Sequence, residues 1–81
     1  MIVRVRLFAI AQQLAGAADV ELSLPDQATV GQLRTALVQQ CPALCGLADY
    51  LAFAVDADYA TDDTPLTDSS EVACIPPVSG G

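Results

Sequence analysis

One segment of this 81-residue chain reads as a helix long enough to organise a core, and it constrains everything around it. Thr29-Val30-Gly31-Gln32 fits a capping box: a hydroxyl at the N-cap and a glutamine three residues on. Beyond it, Val30, Leu33, Leu37 and Cys41 recur at steps of three and four residues and form a single apolar stripe. Gln32, Gln39 and Gln40 sit off that stripe. Pro42 disfavours helical geometry at Cys41, so the helix is expected to end near Gln40. A helix with one apolar stripe must lay it on a second layer.

The flanking sequence supplies strands for that layer. Ile2 to Phe8 is β-prone, and Arg4 and Arg6 alternate with Val3, Val5 and Leu7, so one face is expected to be buried. Ala9 to Leu14 switches to helix formers, with Ile10 and Leu14 four apart, and Gly16 is a plausible stop. Val20, Leu22 and Leu24 alternate with Asp19, Glu21 and Ser23 in a second strand that Pro25-Asp26 ends. Residues 42–51 read as a helical turn plus loop. Phe53 to Val55 is a short strand, Tyr59 starts another short pairing, and Val72 to Ile75 is the last strand. The order predicts one α+β domain, a small mixed sheet packed on one main helix. If the first and last strands pair side by side in parallel, the arrangement is a β-grasp.

Composition narrows the function classes. Hydrophobic residues make up 53% of the chain, too many for a disordered segment, and no run is long enough to span a membrane. Met1 to Arg6 lacks the pattern of a signal peptide, because its charges interrupt the apolar residues. The formal charge is −7. Arg4, Arg6 and Arg34 cancel Asp19, Glu21 and Asp26, so the net charge lies entirely in residues 41–81. Such a surface repels nucleic acid and suits a basic protein partner or plain solvation. There is no lysine, so no side chain can accept an isopeptide bond. Cys41, Cys45 and Cys74 are an odd number, and with no histidine they make neither a complete disulfide set nor a zinc site. They are expected to act as small buried hydrophobes in a reducing cytoplasm.

The sequence closes on Pro76-Pro77-Val78-Ser79-Gly80-Gly81. Two prolines stiffen the approach, and two glycines leave a bare tip ending in a carboxylate. The reading therefore divides the chain into a domain at 1–75 and a flexible tail at 76–81. By itself Gly-Gly also fits an ordinary frayed end.

Pro65-Leu66-Thr67-Asp68, Glu71-Val72-Ala73 and the Pro-Pro-Val-Ser-Gly-Gly ending together resemble the small, sulfur-carrying subunit family of molybdopterin synthase, which is ubiquitin-like. Leu7-Phe8-Ala9 and Leu14-Ala15-Gly16 are similar to that family's N-terminal pattern. The resemblance implies a β-grasp fold and a role in molybdenum cofactor biosynthesis. It implies that the Gly81 carboxylate is adenylated, becomes a thiocarboxylate and gives its sulfur to cyclic pyranopterin monophosphate. Gly80, Ser79, Val78, Pro77 and Pro76 would enter the partner, and Ile75 and Phe8 would bind it. The implied partners are the large subunit, in a two-plus-two heterotetramer, and an E1-like adenylating enzyme that uses ATP with magnesium. No metal site and no permanently bound cofactor are expected, and the chain is not catalytic alone. This chain has Cys74-Ile75 before the prolines, where the family often carries aromatics, and Asp56 where many members have Asn. Three other readings stay open: a carrier for thiamine or tRNA thiolation, a ubiquitin-like protein modifier, and a plain interaction domain with an acidic face.

Overall fold

The capping box forms as the sequence predicts. In the computed structural model, which describes residues 1–77, α2 runs from Val30–Gln40. The Gln32 backbone N–H donates to Thr29 Oγ1 at 3.4 Å, and the Thr29 N–H donates to Gln32 Oε1 at 2.9 Å. Two donors that the first helical turn leaves unpaired are thereby satisfied. Val30, Leu33 and Leu37 are buried, while Cys41, at the C-cap, is only half-buried. Pro42 then opens a 3₁₀ helix at Pro42–Tyr50 that buries Leu44. The sequence shows no clear helical period here because a 3₁₀ helix repeats every three residues rather than 3.6.

Among the described residues, five strands form the opposing layer: β1 Ile2–Leu7, β2 Asp19–Ser23, β3 Ala52–Val55, β4 Asp58–Ala60 and β5 Val72–Ile75. Their spatial order is β2-β1-β5-β3-β4. β1 and β5 are parallel, with Val5 opposite Val72 and Leu7 opposite Cys74, and the other pairs are antiparallel. This is the β-grasp arrangement, and β5 is its middle strand. Period-two alternation turns Val3, Val5, Leu7, Leu22, Phe53, Val72 and Cys74 toward α2, where all are buried. Ile2, Arg4 and Arg6 point to the other face and are exposed.

One expectation needs correction, and the short helix adds a detail that its spacing does not show. The short helix α1, Ala9–Ala15, does end at a left-handed Gly16, whose N–H donates to the Gln12 carbonyl. However, its inward residue is Ala11, and Ile10 and Leu14 stand 41% and 40% exposed. The small Ala11 side chain lets the helix lie close to the body, which turns the larger residues outward. The three thiols also differ from one another. Cys74 is buried, but Cys45 is exposed, because Leu44 beside it takes the inward position of the 3₁₀ helix.

The β3–β4 hairpin turns through Asp56 and Ala57, whose φ values are 51° and 73°. Two left-handed residues between Val55 and Asp58 make the tight turn that matches strand twist. Asp tolerates that backbone, and Asp56 is further held by Oδ1 accepting from the Glu71 N–H at 2.9 Å. Ala57 has no such compensation. The substitution Ala57→Gly is expected to stabilise the chain by about 0.5 kcal/mol, since relieved strain exceeds the added unfolded-state entropy. Thermal unfolding followed by circular dichroism should show a midpoint raised by about 2–4 °C.

Candidate functional site

Pro76 cannot donate to a ladder, so the sheet stops at Ile75 and the chain leaves from the middle strand. The Pro76 ring is buried against the body and Pro77 is the first exposed residue of the stem. The sequence reading starts the tail at Pro76, but this ring packs as part of the body. Val78, Ser79, Gly80 and Gly81, named from the sequence as the rest of the inserting tail, lie outside the described residues.

Around this exit is a shallow groove of about 530 Å³, lined by Phe8, Ala9, Ile10, Gln13, Ile75, Pro76 and Pro77. None of these side chains is charged, although the chain carries a formal charge of −7. Phe8 caps α1 with extended backbone, and Ala9 follows with a φ of 52°. That left-handed residue turns the chain from β1 into α1 within one step, which brings both elements to the tail root. Phe8 and Ile75, the two partner-binding residues read from the sequence, are therefore brought together here. Ile10 was missed. A pair of apolar residues four apart on a short helix reads as core, and only the observed Ala11 packing shows otherwise. Among the described residues, Phe8, Ile10 and Leu14 are three of the six large hydrophobic residues left exposed, which makes this end of the molecule an apolar collar.

No side chain lining the groove is a nucleophile, general base or metal ligand. Among the described residues no cluster of His, Cys, Asp or Glu could hold a metal ion. The nearest thiol, Cys74, lies one residue inside Ile75 with its side chain in the core. Burial pushes it up to about 11 from an ordinary 9.0, and the nearby Arg34 charge opposes part of that rise. A neutral, enclosed thiol is a poor nucleophile. The collar offers apolar area for a partner, and among its lining residues there is no group for covalent chemistry.

The Cys74 shift has a consequence for stability. Below pH 9 the thiol is protonated in both folded and unfolded chains. Above that, the unfolded thiol ionises while the folded one holds its proton until near pH 11, so unfolding releases a proton. Stability is expected to fall across this window by at most roughly 1.4 kcal/mol per pH unit. Urea unfolding at a series of alkaline pH values should show a shallower fall for Cys74→Ala than for the parent chain.

The ThiS family pattern matches residues 5–81. The chain is 34% identical over 79 residues to the molybdopterin synthase sulfur carrier subunit of Arabidopsis thaliana, covering 98% of this chain and 82% of that protein. It is 32% identical over 81 residues to the protein of the same name from Caenorhabditis elegans, covering 98% and 96%. Among solved structures it is similar to small archaeal modifier protein 1 of Haloferax volcanii, with a TM-score of 0.86, 28% identity and coverage of 95% and 98%. Among the described residues no helix is long and apolar enough to cross a membrane.

Proposed function

Because the chain belongs to the ThiS family, we propose that it is the sulfur carrier subunit of a molybdopterin synthase, acting through the Gly81 carboxylate. The observation that carries the reading is the exit of the middle strand through an uncharged collar of Phe8, Ile10 and Ile75. A rigid body that delivers its tail from the centre of a sheet, ringed by apolar side chains, suits a partner that grips the collar and takes in the tail.

A carboxylate is a weak electrophile. An E1-like partner using ATP with magnesium lets a Gly81 carboxylate oxygen attack the α-phosphorus, and pyrophosphate leaves. Hydrosulfide from the sulfur donor then attacks the acyl carbon, the bond from that carbon to the AMP oxygen breaks, and AMP departs to leave a thiocarboxylate. The tail next enters the large subunit and gives its sulfur to cyclic pyranopterin monophosphate, and two such transfers complete the dithiolene. The five residues from Pro77 to Gly81, fully extended, span at most roughly 18 Å, so the tip reaches a buried site while the body, Pro76 included, stays outside. Gly80 and Gly81 pass a narrow channel because they lack Cβ atoms. Pro76 roots the stem in the body, Pro77 reduces the entropy lost on insertion, and Val78 and Ser79 complete the stem. Phe8 and Ile75 supply apolar area to the partner. The chain works in the cytoplasm in a two-plus-two assembly and supplies sulfur within it without catalysing the reaction alone.

Intact mass spectrometry tests this. Incubation with an adenylating enzyme of this family, ATP, magnesium and a sulfur donor is expected to raise the mass by the difference between sulfur and oxygen. No gain under conditions that charge a known carrier removes the proposal. Adding a molybdopterin synthase large subunit and the pyranopterin precursor should then yield the dithiolene, whereas failure at that step points to a thiamine or tRNA thiolation pathway. A second reading, a protein modifier, is favoured by the similarity to small archaeal modifier protein 1. It predicts isopeptide-linked products on lysines of other proteins in the same incubation.

A further inference from the structure

Lysine is among the commonest residues of soluble domains, yet every cationic side chain here is an arginine: Arg4, Arg6 and Arg34. The two residue types differ in reactivity. A lysine amine that gives up its proton is a nucleophile, whereas a guanidinium keeps its proton in a protein and has no lone pair to offer. Arg34 is committed inside the fold, donating to the Ala48 and Leu51 carbonyls and to Asp62. Arg4 and Arg6 stand exposed on β1, where a lysine would sit as readily. Arg4 meets Glu21 at 3.4 Å in an exposed pairing of little strength. Arg6 is level with Ala73 on β5, two residues short of Ile75 and the tail root.

Among the described residues the one primary amine is at Met1. Its ammonium is part-buried, donates to the Leu24 carbonyl at 2.7 Å and lies 3.8 Å from Asp26 Oδ1. It must leave both before its lone pair can attack an acyl group. The fold also sets it far from the tail. β1 and β5 run parallel, so the start of β1 and the exit of β5 lie at opposite ends of the sheet. Leu7 is level with Cys74, and the strand from Met1 to Leu7 covers about 20 Å. The stem at Pro77 starts beyond that level, and its full reach is roughly 18 Å, so the tip cannot return to the amine of its own chain.

We propose that the carrier keeps primary amines away from its own activated tail, so that the Gly81 acyl adenylate meets the sulfur donor and not the protein that bears it. The inference rests on the activation of Gly81 proposed above. When an amine attacks the acyl carbon, the bond from that carbon to the AMP oxygen breaks, AMP leaves, the nitrogen loses a proton to solvent, and an amide remains. An amide is no longer activated, so each such event removes one carrier from use. The exposed thiol of Cys45 carries no equal risk. Its attack gives a thioester, which hydrosulfide reopens to the thiocarboxylate with release of the thiol. Arginine in place of lysine therefore retains positive charge on β1 while excluding the side chain that would trap the tail irreversibly.

Intact mass spectrometry after incubation with an adenylating enzyme of this family, ATP and magnesium, with no sulfur donor, tests the inference. The parent chain is expected to gain AMP and to give neither a product lighter by one water nor a covalent dimer. Gln13→Lys places an amine in the groove beside Pro77, and Arg6→Lys adds one on β1 without changing the charge. Both should cyclise, each losing one water relative to the uncharged variant. An amine tethered within reach of the tail acts at about millimolar concentration, so at roughly 10 μM carrier these variants should link about a hundredfold more than the parent links through Met1 of another copy. Gln13→Arg, which adds the charge without the amine, should behave as the parent does. If both lysine variants gain AMP and neither links, or if the parent links as they do, the inference falls with the carrier function intact. If the parent gains no AMP, the functional reading fails and this inference fails with it.

Discussion

Removing Gly81 is expected to abolish sulfur transfer while leaving the folded domain as stable as before. The deletion moves the terminal carboxylate back along the tail by about 3.3–3.6 Å. A displacement of 1 Å at a reacting centre can cost on the order of a hundredfold, so a loss of at least about a thousandfold is expected. Stability should not follow, because the buried side chains of the described residues end with Val72, Cys74 and Pro76. The two readouts are the intact-mass gain on incubation with the adenylating enzyme and the thermal midpoint. Loss of both together would mean that the tail holds the fold, and the carrier reading would lose its main physical premise. Loss of transfer alone places the chemistry at the tip. Adding an alanine after Gly81 supplies a control of opposite sign: it carries the terminal carboxylate about 3.3–3.6 Å past the tip and sets a Cβ beside it, and it should be equally inactive.

The parts of this molecule that could be read from sequence are those governed by local rules. The capping box at Thr29 and Gln32, the αL stop at Gly16 and the alternation of β1 each depend on residues within a few positions of one another. The parallel pairing of β1 with β5 joins the two ends of the chain, and it followed from a conditional argument about topology rather than from any local signal. The site was half legible. Phe8 and Ile75 could be named from the resemblance, whereas Ile10 required knowing that Ala11 takes the inward position of α1. Arg34 was invisible in its actual role. In the sequence it was one of three cations to be counted, and nothing near it in the chain reveals that its partners lie 14, 17 and 28 residues away.

That arginine is where the largest loss of stability is expected. Its Nη1 donates to the Ala48 carbonyl at 2.6 Å and to the Leu51 carbonyl at 2.7 Å, which closes the end of the 3₁₀ helix onto α2. Its Nη2 donates to Asp62 Oδ1 at 2.9 Å, and the guanidinium carbon lies 5.0 Å from the centre of the Phe53 ring. Arg34→Ala removes all of these and leaves two partly buried carbonyls without a donor, at a cost of about 3 kcal/mol. The midpoint should drop by about 12–24 °C, and 3 kcal/mol is a large share of the stability of an 81-residue domain. Arg34→Lys should recover less than half of that, since a single ammonium cannot span both carbonyls and the carboxylate. Asp62→Asn should cost under about 1 kcal/mol, because that carboxylate is 63% exposed and its ion pair is screened. An Asp62→Asn loss as large as that of Arg34→Ala would show that the ion pair, rather than the capping of the 3₁₀ helix, holds these elements together. Two further signatures separate the mechanisms. Amide exchange should accelerate across 42–51 in Arg34→Ala before it does so in β1 or β5, because the arginine is the polar tie between that helix and α2. The Cys74 thiol, which the Arg34 charge pulls downward, should titrate still higher in that variant, so the alkaline fall in stability extends to higher pH.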